Sequence, residues 1–111
     1  MEKLITLKKN KEFRRAYFKG TSLASPVLVT YVLKNRENTN RVGITASKKT
    51  GNAIKRNRAR RIIKEAYRQL FDKLKTGIDI VFVARAQTPV VKTDRILKDM
   101  TYHLKKLGAW K

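Results

Sequence analysis

The residues predict an α+β fold in which helices pack on a small sheet in the order αββαβα. Three observations carry this. Residues 27–34 (VLVTYVLK) and 78–85 (IDIVFVAR) are β-branched runs of strand length. From Ala59 onward, Ile62, Ile63, Ala66, Tyr67, Leu70 and Phe71 keep the three-and-four spacing of a helix face turned to a core. At 111 residues and 41% hydrophobic content, the chain has room and apolar material for one domain with one core. A two-layer sandwich is the expected architecture.

Taken in order, Asn10 is expected to cap a short helix through Lys19, with Phe13, Ala16 and Tyr17 on one side and Gly20 as its stop. Residues 21–26 read as turn. Residues 27–34 are a strand, and Pro26 stands where a strand start tolerates it. Residues 35–40 are a polar loop. In 41–47, Val42, Ile44 and Ala46 alternate with Gly43, Thr45 and Ser47, which predicts a hairpin partner for the preceding strand. Residues 48–51 form a basic turn, and Asn52 caps a long helix from Ala53 to about Leu74 that Gly77 breaks. Residues 78–85, the most apolar run, are expected to be the central strand. After a loop at 86–92 containing Pro89, Thr93 caps a last helix. Its stripe is Ile96, Leu97, Met100, Leu104 and Leu107, closed by Gly108.

Charge is the outlying property. The chain has 28 Lys and Arg against 8 Asp and Glu, a formal net charge of +20 and a pI near 10.8. Such an excess costs stability through self-repulsion and favours a polyphosphate partner. No stretch is long and apolar enough to span a membrane and no lipidation signal occurs, so nucleic acid is expected and a membrane is not. The amino terminus, MEKLITLKKNKEF, lacks a signal-peptide pattern, and there is no cysteine for disulfides or thiolate ligation. A cytoplasmic location is the default expectation.

No catalytic constellation stands out. Glu2, Glu12, Glu37, Glu65, Asp72, Asp79, Asp94 and Asp99 are scattered. Asp94 reads as a first-turn helix stabiliser, and His103, the sole histidine, as a structural residue near a helix carboxyl end. Neither a Walker-type glycine loop nor a GxSxG elbow is present. The Gly51-Asn52 turn is either a phosphate cradle or a plain cap. No catalytic residue and no metal ligand is assigned, and the isolated chain is not expected to be an enzyme.

Residues 47–68 carry nine of the 28 cations and one acid, Glu65. At about 100° per residue, Asn57, Arg61, Lys64 and Arg68 lie opposite the apolar face. Like charges at this spacing repel, so a ridge that keeps them is expected to meet a polyanion. Arg56, Arg58, Arg60 and Arg61 supply fork-shaped cations for phosphate oxygens, and Asn57 adds a donor and an acceptor. The nucleic-acid-binding candidates are Lys48, Lys49, Asn52, Lys55, Arg56, Asn57, Arg58, Arg60, Arg61, Lys64 and Arg68. A second constellation is aromatic. Phe13 and Tyr17 lie one turn apart, and Tyr31 sits mid-strand on the face of Val27, Val29 and Leu33. An aromatic groove between first helix and sheet would suit unpaired bases. Phe13 reads as core by itself; Tyr17 and Tyr31 fit core or groove equally.

Ser47-Lys48-Lys49, Gly51-Asn52-Ala53 and Arg56-Asn57-Arg58 followed by Arg61 resemble the signature of the bacterial ribonuclease P protein component. The resemblance extends over nearly the whole chain, through Leu7-Lys8-Lys9 with Phe13, Gly20-Thr21-Ser22, Val42-Gly43-Ile44 and Val83-Ala84-Arg85. It implies a single RNA-binding domain over residues 1–111, like domain 2 of ribosomal protein S5, with a left-handed βαβ crossover. Periodicity would not predict that hand, since such crossovers are right-handed in about 98% of cases. It also implies that a catalytic RNA, using magnesium ions bound mainly by the RNA, removes the 5′ leader from precursor tRNA. Both RNAs would be partners, with no obligatory protein partner. Carried over by position, Phe13, Tyr17 and Tyr31 would line a leader cleft. Arg56, Asn57, Arg58, Arg61 and Lys64 would face the catalytic RNA and the substrate. Tyr17 and Lys64 stand where some members have Phe and Arg; Lys64 keeps charge but loses bidentate geometry. The rival is a structural ribosomal protein binding rRNA, which explains the basic helix but not its pairing with the aromatics. A DNA-binding module finds no helix-turn-helix spacing.

Overall fold

A computed structural model describes residues 5–111; Glu2 and the first part of the amino-terminal segment lie outside the described residues. The elements are α1 (Asn10–Lys19), β1 (Thr21–Ser25), β2 (Leu28–Lys34), β3 (Arg41–Thr45), α2 (Ala53–Arg68), β4 (Ile78–Ala84) and α3 (Thr93–Lys106). Short 3-10 turns follow β3, α2 and β4. One four-stranded sheet has the order β1-β2-β4-β3, and β4 is central as expected.

Strand parity decides what each face buries. Leu28 and Val32 of β2 and Ile78, Ile80, Phe82 and Ala84 of β4 point into the main core. There α2 contributes Ala59, Ile62, Ile63, Ala66 and Tyr67, and α3 contributes Ile96, Met100 and Leu104. The other face carries Val81, Val83 and Tyr31, and it packs against Leu7 and against Phe13 and Ala16 of α1. The expected two-layer sandwich therefore gains a partial layer, because both faces of β4 are apolar and α1 crosses the second. No helix among the described residues is long and apolar enough to cross a membrane.

Several expectations need correction. Residues 21–26 are not simply a turn: β1 pairs antiparallel with β2, from Thr21 opposite Val32 to Ser25 opposite Leu28. Its side chains are mostly exposed, so an edge strand held by backbone bonds leaves no apolar alternation to read. Pro26 occupies the tight turn between the two strands. β3 is not the hairpin partner of β2 but runs parallel to β4, Arg41 opposite Asp79 and Thr45 opposite Val83. The reason is that β2 is already paired on both edges, by β1 and by β4. Since α2 joins β3 to β4, the result is a βαβ unit. The order gains a strand, αβββαβα in place of αββαβα. α2 stops at Arg68 rather than near Leu74, because a 3-10 turn at Phe71–Lys73 swings Leu70 and Leu74 into the core. Helix caps shift by one residue: Lys9, not Asn10, precedes α1, and Lys92, not Thr93, precedes α3.

His103 is fully inside, sharing a 2.8 Å hydrogen bond between its Nδ1 and Thr30 Oγ1 at the α3–sheet contact. Burial lowers its pKa from 6.5, opposed in part by the charge of Asp99. The unfolded chain therefore takes up this proton first as pH falls. Stability should be full above about pH 6.5 and decline below it, by at most about 1.4 kcal/mol per pH unit for one proton. Denaturant midpoints across that range should show the slope, and His103→Asn should abolish it; a wild-type midpoint flat from pH 7 to 5 would refute this.

Candidate nucleic-acid interface

α1 is fastened to the sheet by one guanidinium. Arg41 Nε and Nη2 donate to Asp79 Oδ1 and Oδ2, both at 2.8 Å, and its Nη1 donates to Glu12 Oε2 at 2.8 Å. Asp79 is buried and takes a third bond from Asn35 Nδ2. The other Glu12 oxygen accepts from the Lys8 and Lys9 amides. These amides, aided by Arg41, hold the Glu12 carboxyl below its ordinary pKa. The pair to Asp79 in turn raises that of Arg41.

This clamp sets Phe13 against β3. A Cβ at Gly43 would lie 2.4 Å from the Phe13 ring, so only glycine lets the ring approach the strand. One turn later the Tyr17 ring meets Tyr31 edge-on, centroids 4.9 Å apart. Between α1 and the end of β3 opens a cleft of about 470 Å³ lined by Asn10, Phe13, Arg14, Tyr17 and Thr45. Half-buried Val29 and Val83 stand opposite each other in register on the same face as Tyr31. Phe13, expected in the core, does both jobs: it packs with Leu7 and Val81 and lines the cleft.

α2 lies behind the sheet. Asn52 Oδ1 caps it by accepting from the Lys55 amide, so the plain-cap reading of the Gly51-Asn52 turn is satisfied. Asn57, Arg61, Lys64 and Arg68 are exposed, as are Lys48, Lys49, Asn52, Lys55, Arg58 and Arg60, while Arg56 is half-buried. The side chains of Arg56, Arg61, Lys64 and Arg68 find no hydrogen-bond or ion-pair partner among the described residues. Arg58 and Arg60 flank the ridge of Asn57, Arg61, Lys64 and Arg68 on opposite sides. Arg58 Nε donates to the Pro89 carbonyl at 2.7 Å. Arg60 leans the other way, towards Asn57 Oδ1 at 3.2 Å and the Ala46 carbonyl at 3.4 Å. The arginine block is thus a ridge with two braced flanks. No three Asp, Glu or His side chains converge as metal ligands among the described residues.

Residues 5–7, bonded through the Leu7 amide and the Ile5 carbonyl to Val42, run along the outer edge of β3 between cleft and ridge. A cavity of about 210 Å³ there is lined by Phe13 from the cleft side and Lys64 from α2, with Val42, Gly43 and Ile44 between them. Sequence reasoning missed Arg41, Glu12 and Asp79 as organisers, and Arg14 in the cleft wall; the basic pattern of α1 was the available signal for Arg14.

The Ribonuclease P family profile matches residues 1–108. The chain is similar to the "Ribonuclease P protein component" of Clostridioides difficile (strain 630), 51% identical over 91% of this chain and 86% of that protein. That of Alkaliphilus oremlandii is 42% identical over 97% and 95% of the two chains. Among solved structures, the Staphylococcus aureus RNase P protein superposes with a TM-score of 0.85 at 33% identity, covering 98% of this chain and 100% of that one. A Staphylococcus aureus mutant described as defective in mRNA degradation activity gives a TM-score of 0.84 at 34% identity, over 95% and 89%. The Thermotoga maritima RNase P protein gives 0.76 at 25% identity, over 93% and 94%.

Proposed function

The chain belongs to the bacterial ribonuclease P protein family, and from that premise we propose that it grips the single-stranded 5′ leader of precursor tRNA and joins it to the catalytic RNA. It is the protein subunit of a ribonucleoprotein of tRNA processing, and a structural ribosomal role is not favoured. The observation that carries the division of labour is the cleft of Phe13, Tyr17 and Arg14 opening beside Tyr31, with Phe13 also lining the cavity at β3 that Lys64 of α2 reaches from the other side. Unpaired bases stack on aromatic rings, whereas bases in a duplex have no free face to offer.

In this reading Phe13, Tyr17 and Tyr31 hold leader bases. Lys48, Lys49, Asn52, Lys55, Arg56, Asn57, Arg58, Arg60, Arg61, Lys64 and Arg68 neutralise phosphates of the catalytic RNA and of the substrate near the cleavage site. Precursor then binds better than product, because only precursor fills the cleft, and the cations offset repulsion between two polyanions. Magnesium-assisted hydrolysis is assigned to the catalytic RNA, as the family resemblance implies, and no residue of this chain is given a metal to hold. The chain works with its RNAs in the cytoplasm and needs no second protein.

The test is reconstitution with magnesium. Isolated protein should leave precursor tRNA intact, and protein with the catalytic RNA should release the 5′ leader. Cleavage by the protein alone would overturn the assignment of the chemistry. The mRNA degradation activity ascribed to the Staphylococcus aureus protein makes that control the informative one.

A further inference from the structure

The proposed leader cleft does not account for the most exposed large apolar side chain among the described residues. Phe18 on α1 is 90% exposed, against 39% for its neighbour Tyr17. Folding gains nothing from it: Phe is a poorer helix former than the Arg and Lys around it, and it buries almost none of its ring. Single exposed apolar residues are common on any surface. This one differs in its company. Around the helix from buried Ala16, the side chains follow as Phe13, Tyr17, Asn10 and Arg14, the cleft wall, and then Phe18, Lys11 and Arg15. Phe18 lies about 40° past Arg14, one turn further along the helix. Lys11, Arg14, Arg15 and Lys19 are all exposed, and the helix's only acid, Glu12, is occupied by Arg41.

Resting on the leader-cleft reading, we propose that Phe18 is a second stacking platform, holding leader nucleotides upstream of those in the cleft. An aromatic ring set among cations is the pairing that binds single-stranded nucleic acid without sequence readout. Arg14 belongs both to the cleft wall and to the Phe18 face, so a strand leaving the cleft over Arg14 arrives at this ring. The occupant is leader rather than catalytic RNA because Phe18 adjoins the Arg14 wall of the leader cleft, whereas the α2 cations, assigned to the catalytic RNA and to the substrate near the cleavage site, lie across the sheet from α1.

The test uses holoenzyme and three substrates: mature tRNA, precursor with a leader that just fills the cleft, and precursor extended upstream by several nucleotides. Wild type should bind the extended leader more tightly than the short one. Phe18→Ala should remove that gain, about fivefold or more by the worth of one stacked base. Short-leader and mature substrates should be unaffected. Phe18→Tyr should keep the gain and Phe18→Leu should lose it, which separates stacking from apolar contact. Thermal unfolding should not move, since the ring is outside the core. An unchanged gain in Phe18→Ala overturns the platform while leaving the cleft to the Tyr31 variants. Equal loss on mature tRNA, or in assembly with the RNA, also overturns it and gives Phe18 to the catalytic RNA. Should Tyr31→Leu also spare every precursor, the cleft itself falls and the platform with it.

Discussion

Arg41→Met should lower the stability of the free protein by about 3 kcal/mol, the low end of the 3–5 typical when a buried ion pair loses one member. The low end applies because Arg41 is 23% exposed while Asp79 is only 2% exposed. The change leaves Asp79 buried with the Asn35 amide as its remaining side-chain donor. Against a total of about 5–15 kcal/mol this is a severe loss, and it should appear as a drop in denaturant midpoint at unchanged slope. Removing the stranded charge as well, in Arg41→Met with Asp79→Asn, should recover more than half, because the neutral amide oxygen introduced there still accepts from Asn35. The Arg41 substitution also cuts the link to Glu12, so leader affinity should fall even for the fraction that is folded. A cost within about 0.5 kcal/mol, as for a surface pair, would show that the clamp does not hold α1 in place.

Tyr31→Ala should weaken holoenzyme binding of precursor tRNA by about 1–3 kcal/mol while mature tRNA hardly changes. Tyr31 also packs in the small cluster with Leu7, Ala16 and Val81, so truncation carries a folding cost; large-to-small core changes reach about 3–5 kcal/mol. Tyr31→Leu keeps apolar bulk, abolishes stacking and loses the edge-on contact with Tyr17, which makes it the cleaner probe. Thermal unfolding of each variant, measured beside the affinities, separates the two losses. Equal weakening of precursor and mature tRNA by a well-folded Tyr31 variant would return this ring to the core alone.

What could be read from the chain was whatever repeats locally. Ile62, Ile63, Ala66 and Tyr67 marked the buried face of α2, and the positions opposite them are the exposed ones. The continuous apolar run of β4 marked the central strand, because a strand covered on both faces has no polar side to alternate with. β1 escaped because Thr21, Ser22 and Ala24 face solvent and its pairing is carried by backbone groups, with only the Thr21 and Ser25 hydroxyls added across to the Val32 and Leu28 carbonyls. The partner of β3 escaped because parity tells which face a residue occupies, not which strand lies beside it. The clamp was out of reach for a related reason. Arg41 is 29 residues from Glu12 and 38 from Asp79, so no local pattern links them. Of the site, the cationic ridge was legible from 100° arithmetic. The opposite leanings of Arg58 and Arg60 depend on the Pro89 and Ala46 carbonyls, which only the tertiary fold brings near.

The most direct measurement is the ratio of affinities for precursor and mature tRNA, taken with the catalytic RNA alone and again with the protein bound. The protein should raise the ratio several-fold or more, and the rise should vanish when the leader is trimmed away or replaced by duplex. A protein that tightens both tRNAs equally would be only a counterion for RNA, and the leader cleft would have no part in its function.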